Sequence, residues 1–261
     1  MAVTSARAIV NLKEKGHFEQ KNETERIDKY TLGDELGARL AALQICAMPP
    51  TAYTVRTLTT DDKESVLQFL RRFFFIDEPM NKAVQLLETP DSRCLELEEY
   101  ATCSLEDGVS VAAVDDHGEF VGLVINGIAK REEVDYTDKS EDCPHPKFRR
   151  ILKVLGHLDR EVRIWDKLPK TCNRVVEIRI ASTHDAWRGR GLMRVLCEET
   201  ERIAKAVGAS ALRMDTTSAF SAAAAERLGY KQMYSVLYSD LDYAPQPPAP
   251  HLEARVYIKQ I

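Results

Sequence analysis

The segment from Arg174 to Ala209 constrains the fold more than any other part of the chain. It opens with the β-prone run RVVEIRIAS (residues 174–182), passes through WRGRGLM (187–193) and continues as GLMRVLCEETERIAKAVGA. The order is strand, glycine loop, helix. Glu198 with Arg202 and Glu201 with Lys205 support the helix as i,i+4 pairs. A loop at the head of a helix meets unpaired backbone N–H groups and the positive end of the helix dipole, which together attract an anion. Gly189 and Gly191 let the backbone approach a phosphate closely, and Arg188 and Arg190 add charge. A pyrophosphate fits this loop, held by residues 188–193 with Leu192 and Met193 opening the helix.

The phosphate carrier narrows by elimination. A Walker loop needs Gly-Lys-Ser/Thr, which the chain lacks, and a dinucleotide fingerprint needs a third glycine where Arg194 stands. A formal net charge of −5 provides no general basic field for nucleic acid or an anionic membrane, so an anion has to be bound locally. No window reaches the roughly 18 apolar residues of a membrane helix. The first residues lack an apolar signal core, and Glu14 and Glu19 interrupt a mitochondrial presequence pattern. The six cysteines (Cys46, Cys94, Cys103, Cys143, Cys172, Cys197) form no CxxC pair. That spacing points to no metal and no disulfide framework, and to a reducing, cytoplasmic setting.

Of the 261 residues, 44% are hydrophobic, enough for a packed core. Residues 1–50 read as an appendage, partly helical or disordered, closed by Pro49 and Pro50, and residues 51–261 as one domain. Within it, YTVRTL is a strand and the following KESVLQFLRRFFF an amphipathic helix. Two β-prone runs around Asp115–Gly118 make a hairpin, and HPKFRRILKVLGHLDREVRIWDKL a single long helix with a basic outer face. ALRMD, KQMYSVLYSDL and EARVYIKQI are strands, with the alanine-rich helix SAAAAERLGY ending at Gly229 and APQPPAP an extended connection. Consecutive strands favour an α/β (α+β) fold with a mixed, mostly antiparallel sheet.

FFFIDEPMN (73–81) admits two readings: a buried helix end meeting a solvated acidic turn, or a carboxylate at the mouth of an aromatic pocket that moves a proton. CPHP holds Cys143 and His145 without a metal partner, Pro146 fits a helix start, and His184 reads as a surface histidine.

The Arg-x-x-Gly-x-Gly/Ala pattern of the GNAT acetyltransferase superfamily resembles Arg188 to Met193 in all but the last place. The element order from Tyr53 to Ile261 also resembles that fold, with its flanking helices and splayed central strand. More narrowly, FFFIDEPMN, CPHPKFRRIL, WRGRGL and ERLGYK together resemble the insect-type arylalkylamine (dopamine) N-acetyltransferases, over about four fifths of the chain. The resemblance implies a monomer that transfers acetyl from acetyl-CoA to an arylalkylamine such as dopamine, tyramine, octopamine or serotonin, by direct attack in a ternary complex. Such an amine is protonated at neutral pH, so an enzyme must supply a base. The resemblance makes that base Glu78, acting through an ordered water. Burial beside the phenylalanines and near Asp77 raises its pKa from about 4.3, and Pro79 fixes its backbone. Phe75, Asp77 and Pro79 would then border the amine. The splayed strand would offer the backbone of Ala181, Ser182 and Thr183 to the thioester. Thr217 and Ser221 match hydroxyls that serve the thiolate or the amine, although Ser221 also suits a helix N-cap. The family's tyrosine before that serine is Phe220 here. Two alternatives keep the fold: another acyl-CoA or acceptor (a polyamine, a protein N-terminus), and a non-catalytic acyl-CoA-binding protein.

Overall fold

A computed structural model describes residues 52–89 and 91–261, so the expected appendage at 1–50 lies outside the described residues. The strands are β1 (Tyr53–Thr57), β2 (Val111–Asp115), β3 (Phe120–Lys130), β4 (Arg174–Thr183), β5 (Ala211–Thr216), β6 (Lys231–Leu237) and β7 (Glu253–Gln260). They form one seven-stranded sheet in the order β1-β2-β3-β4-β5-β7-β6, with β4 and β5 as its parallel pair and antiparallel pairing elsewhere. The helices are α1 (Lys63–Leu70), α2 (Pro79–Ala83), α3 (Leu95–Thr102), α4 (Pro146–Val162), α5 (Ile164–Lys167), α6 (Leu192–Ala206) and α7 (Ala219–Arg227). One core, against α1 to α5, takes Leu152, Leu155 and Trp165; the other, against α6 and α7, takes Leu196, Ile178 and Met214.

Pro146 opens α4 as expected, and His145 caps it by accepting the Phe148 N–H at Nδ1. The expected single long helix instead breaks at Arg163, which turns left-handed (φ 43°) before α5. Tertiary packing overrides the periodicity there, because both Val162 and Trp165 stay buried across the break.

The parallel pairing of β4 with β5 stops at Ile178–Met214. On the other side Ile125 faces Ile180 and Asn126 faces Ile178, leaving Arg179 unopposed as a β-bulge. The missing ladder partner is replaced: the Asn126 N–H is taken by Ser110 Oγ at 3.0 Å, and the Asn126 amide bonds the Val109 carbonyl and the Thr200 hydroxyl. The Arg179 side chain lies over Gly127, where an added Cβ would come within 2.8 Å of Nε. Beyond this bulge residues 180–183 pair with β3 alone, and the sheet is splayed.

Candidate active site

After α1 the chain widens into a π-helical turn, Arg71–Phe75, which spreads three consecutive phenylalanines over different directions. Phe73 and Phe74 line a cleft of about 860 Å³. Phe75 does not; it is 1% exposed and turned into the core, so the wall that borders the cleft is one residue earlier than expected. The Phe73 carbonyl accepts the Ser182 hydroxyl at 3.2 Å, which ties the turn to the splayed half of β4.

Pro79 holds Glu78 extended (φ −63°, ψ 128°) as the N-cap of α2. The side chain is buried and lines the cleft. Its two oxygens are separately engaged: Oε2 accepts the Asn81 N–H at 2.7 Å and Oε1 the Thr217 hydroxyl at 2.9 Å. Burial pushes the carboxyl pKa above the usual range, and the Asn81, Met80 and Thr217 donors only partly offset it. Asp77, expected to add to that rise, does not: it is half exposed and pairs with Lys82 at 3.0 Å and Arg188 at 3.7 Å.

Thr217 stands at the end of β5, with its carbonyl accepting the buried Tyr238 hydroxyl at 2.9 Å. Sequence reasoning gave Tyr238 no role, because its partner is brought to it only by the pairing of the sheet. Ser221 is not the N-cap of α7. Ser218 is, and Ser221 is the third residue of a reciprocal capping box with it, the two hydroxyls 2.9 Å apart. Of the pair, Ser218 lines the cleft.

At the other end of the cleft, Gly189 and Gly191 are left-handed (φ 76° and 79°). A Cβ at either would meet no protein atom within 4 Å, so the cradle is open on the cleft side. Leu192 and Met193 occupy the first turn of α6, where N–H groups have no intrahelical partner, and that turn contains no acid. Met193, the departure from the pattern, is buried against the second core and also borders the cleft. Arg188 lines the cleft but is held by Asp185 at 2.7 Å. Arg190 is directed over the Trp187 ring, 5.8 Å from its centroid, and does not border the cleft. Thr183 does; Ala181 and Ser182 lie behind it, buried. His184 is half buried, its ring tilted by 41° against that of Phe73 with centroids 4.3 Å apart. The connection before β7 brings His251 to the cleft, its ring edge-on to the exposed Phe220 at 5.0 Å.

These placements set a buried carboxylate and an anion-binding helix start on one cleft. Replacing Gly191 by Ala is expected to cost ~1–2 kcal/mol of backbone strain at this φ. It should also weaken binding of a pyrophosphate-bearing ligand at this helix start about tenfold, read by calorimetric titration.

No family model matches the chain. Among solved structures, it is similar to arylalkylamine N-acetyltransferase 2 from Aedes aegypti, with a TM-score of 0.75 and 28% identity over 81% of this chain and 100% of that one. It is also similar to the polyamine N-acetyltransferase of Drosophila melanogaster, which catalyses formation of N-acetylagmatine, with a TM-score of 0.70 and 20% identity over 80% of this chain and 100% of that one. Arabidopsis thaliana NAA60, solved with acetyl-CoA, matches in fold at a TM-score of 0.50 and 14% identity, over 80% of this chain and 99% of that one. The sheet order, the splay and these likenesses are those of the GNAT acetyltransferase fold, and the similarity to the Aedes enzyme supports an acyltransferase.

Proposed function

We propose that this GNAT acyltransferase moves an acetyl group from acetyl-CoA to the primary amine of an arylalkylamine, with Glu78 as the general base. The observation that carries the reading is that Glu78 and the first turn of α6 face one cleft, so that a base and a pyrophosphate cradle serve the same bound pair. Gly189, Gly191 and the amides at the head of α6 hold the cofactor's phosphates, with Arg188 and Arg194 at the rim. The unpaired edge of β4 from residue 179 to Thr183 offers backbone donors to the thioester carbonyl as negative charge develops there.

The ammonium gives its proton to Glu78, directly or through one water, and the freed amine attacks the thioester carbon. The carbon–sulfur bond then breaks, and the second proton of the amine nitrogen passes to the departing thiolate, which leaves as the CoA thiol. Ser218, backed by Ser221, is the hydroxyl placed for it at the start of α7. Phe73, Phe74 and Phe220 give the cleft an aromatic wall, which favours a ring-bearing amine. A polyamine would call for free carboxylates, and Asp77 is already bound by Lys82 and Arg188.

Thiol release from acetyl-CoA with tyramine, phenethylamine and spermidine tests the reading: the aromatic amines are expected to be preferred in kcat/KM. Release with none of them would leave an acyl-CoA-binding protein. A preference for spermidine would move the acceptor to polyamines. Thr217→Val removes a hydrogen bond to the carboxylate and is expected to lower the rate at pH 7 about tenfold, while moving the acid limb of the pH profile upward.

A further inference from the structure

Behind the cleft, five charged side chains are packed where β4 leaves β5, and none of them borders the cleft. Arg213 on β5 forms a two-pronged bond to Asp215, Nε to Oδ1 and Nη2 to Oδ2, both 2.7 Å. Its remaining arm bonds Asp159 from α4 and lies 3.7 Å from Glu177 on β4. Glu177 in turn lies 4.0 Å from Arg179, whose Nη1 donates to Cys103 Sγ at 3.4 Å. Arg213 and Asp215 are 1% and 0% exposed. The buried Tyr100 hydroxyl adjoins the group from α3, and His157 and Tyr234 bond each other at 3.0 Å further along α4.

Two features give this cluster a bearing on the reaction. Asp215 is the first residue of β5 beyond the last β4 pair, where β7 alone continues the ladder, and its fork orients the Arg213 guanidinium whose remaining arm ties β5 to Asp159 of α4 and faces Glu177 of β4. Two residues later, just past the end of β5, the Thr217 hydroxyl donates to Glu78. We propose that Asp215 is a positioning residue for Glu78: its fork holds Arg213 in the arrangement that ties β5 to α4 and β4, and so sets where the chain leaving β5 presents Thr217 to the base. This rests on Glu78 being the base.

The cluster also holds three carboxylates (Asp159, Glu177, Asp215) against two guanidiniums (Arg179, Arg213), an excess of one negative charge in a buried space. Binding one proton removes the excess. Burial pushes Asp215 up to about 7, against the pull of Arg213, with Asp159 and Glu177 reinforcing the rise. A protonated Asp215 cannot accept both Arg213 donors, so acidification opens one prong and loosens the chain at Thr217. The chain therefore loses activity on acidification through two ionisations, that of Glu78 and that of the cluster.

The test is the pH dependence of kcat/KM for tyramine in the full-length chain, for the unaltered sequence, Asp215→Asn, Glu177→Gln and Glu78→Gln, each checked for folding by circular dichroism. The unaltered chain is expected to fall more steeply in acid than Asp215→Asn, by one proton, or about tenfold per pH unit. Asp215→Asn should also be slower on the plateau. Glu177→Gln balances two carboxylates against two guanidiniums, so the cluster's step should move to lower pH. If the folded variants keep the full acid limb while Glu78→Gln is inactive, the inference is overturned and the base assignment stands. A fully active Glu78→Gln overturns both. Should neither cluster variant fold, carboxyl-carbon NMR of the unaltered chain decides: a buried aspartate titrating near neutrality is expected, and its absence sinks the proposal.

Discussion

Glu78→Gln is expected to lower kcat/KM by about 10²–10⁴-fold, the usual worth of a positioned base, and to abolish the limb of the pH profile that belongs to this carboxyl. The sign follows from its raised pKa: the base is protonated and inactive in acid, and the rate climbs as pH rises through that pKa. Glutamine fits the same place. Its carbonyl accepts the Asn81 N–H and its amide donates to Thr217 Oγ1, so the fold and acyl-CoA affinity should be retained. Stability should move the other way from activity. A carboxyl whose folded pKa lies above its unfolded one stabilises most at low pH and loses that contribution as pH rises. The substitution is therefore expected to raise stability by ~1 kcal/mol at pH 8 and by less at pH 5, read from melting curves. An unchanged rate, with the variant folded, would remove Glu78 from the mechanism.

Arg213→Leu is expected to be the most destabilising single change, by about 3–5 kcal/mol at pH 8. The reason is the partners it abandons: Asp159, Glu177 and Asp215 would remain buried with Arg179 as their nearest guanidinium. These carboxyls would then hold protons more tightly in the folded chain than in the unfolded one, so the deficit should shrink toward pH 5. Chemical denaturation at the two pH values checks both the size and the sign. Arg213→Lys should recover only part of the loss, because an ammonium cannot reproduce the fork.

Much of the fold was legible because its signals are local. The strand–loop–helix unit, Pro146 at a helix start and Gly229 after α7 each follow from residues near in sequence. The glycine turn into α6 was legible for the same reason, since Gly189, Gly191 and the start of the helix are contiguous. What escaped depends on distant partners. Glu177 and Arg179 alternate within RVVEIRIAS, yet both are buried, Glu177 beside Arg213 of β5 and Arg179 against Cys103. One clue was available: Asp159 falls on the apolar stripe of its helix, between Leu155 and Val162, where a lone acid calls for a buried cation. The π-helical turn was illegible, because nothing in FFF says which ring turns inward, and so Phe75 was placed on the wrong side. The Ser218–Ser221 box was missed by starting the helix one turn late.

The bond between Thr217 and Glu78 joins residues 139 positions apart, and β5, which leads into Thr217, is flanked on its open side by β7. During synthesis the Asp-Glu-Pro turn emerges long before β5, so its carboxylate meets the Thr217 hydroxyl only after 139 further residues have been added. A ribosome-bound chain stopped before that point carries the buried acid without the donor that clasps it, and the pair belongs to the closed sheet and to no single segment of the chain.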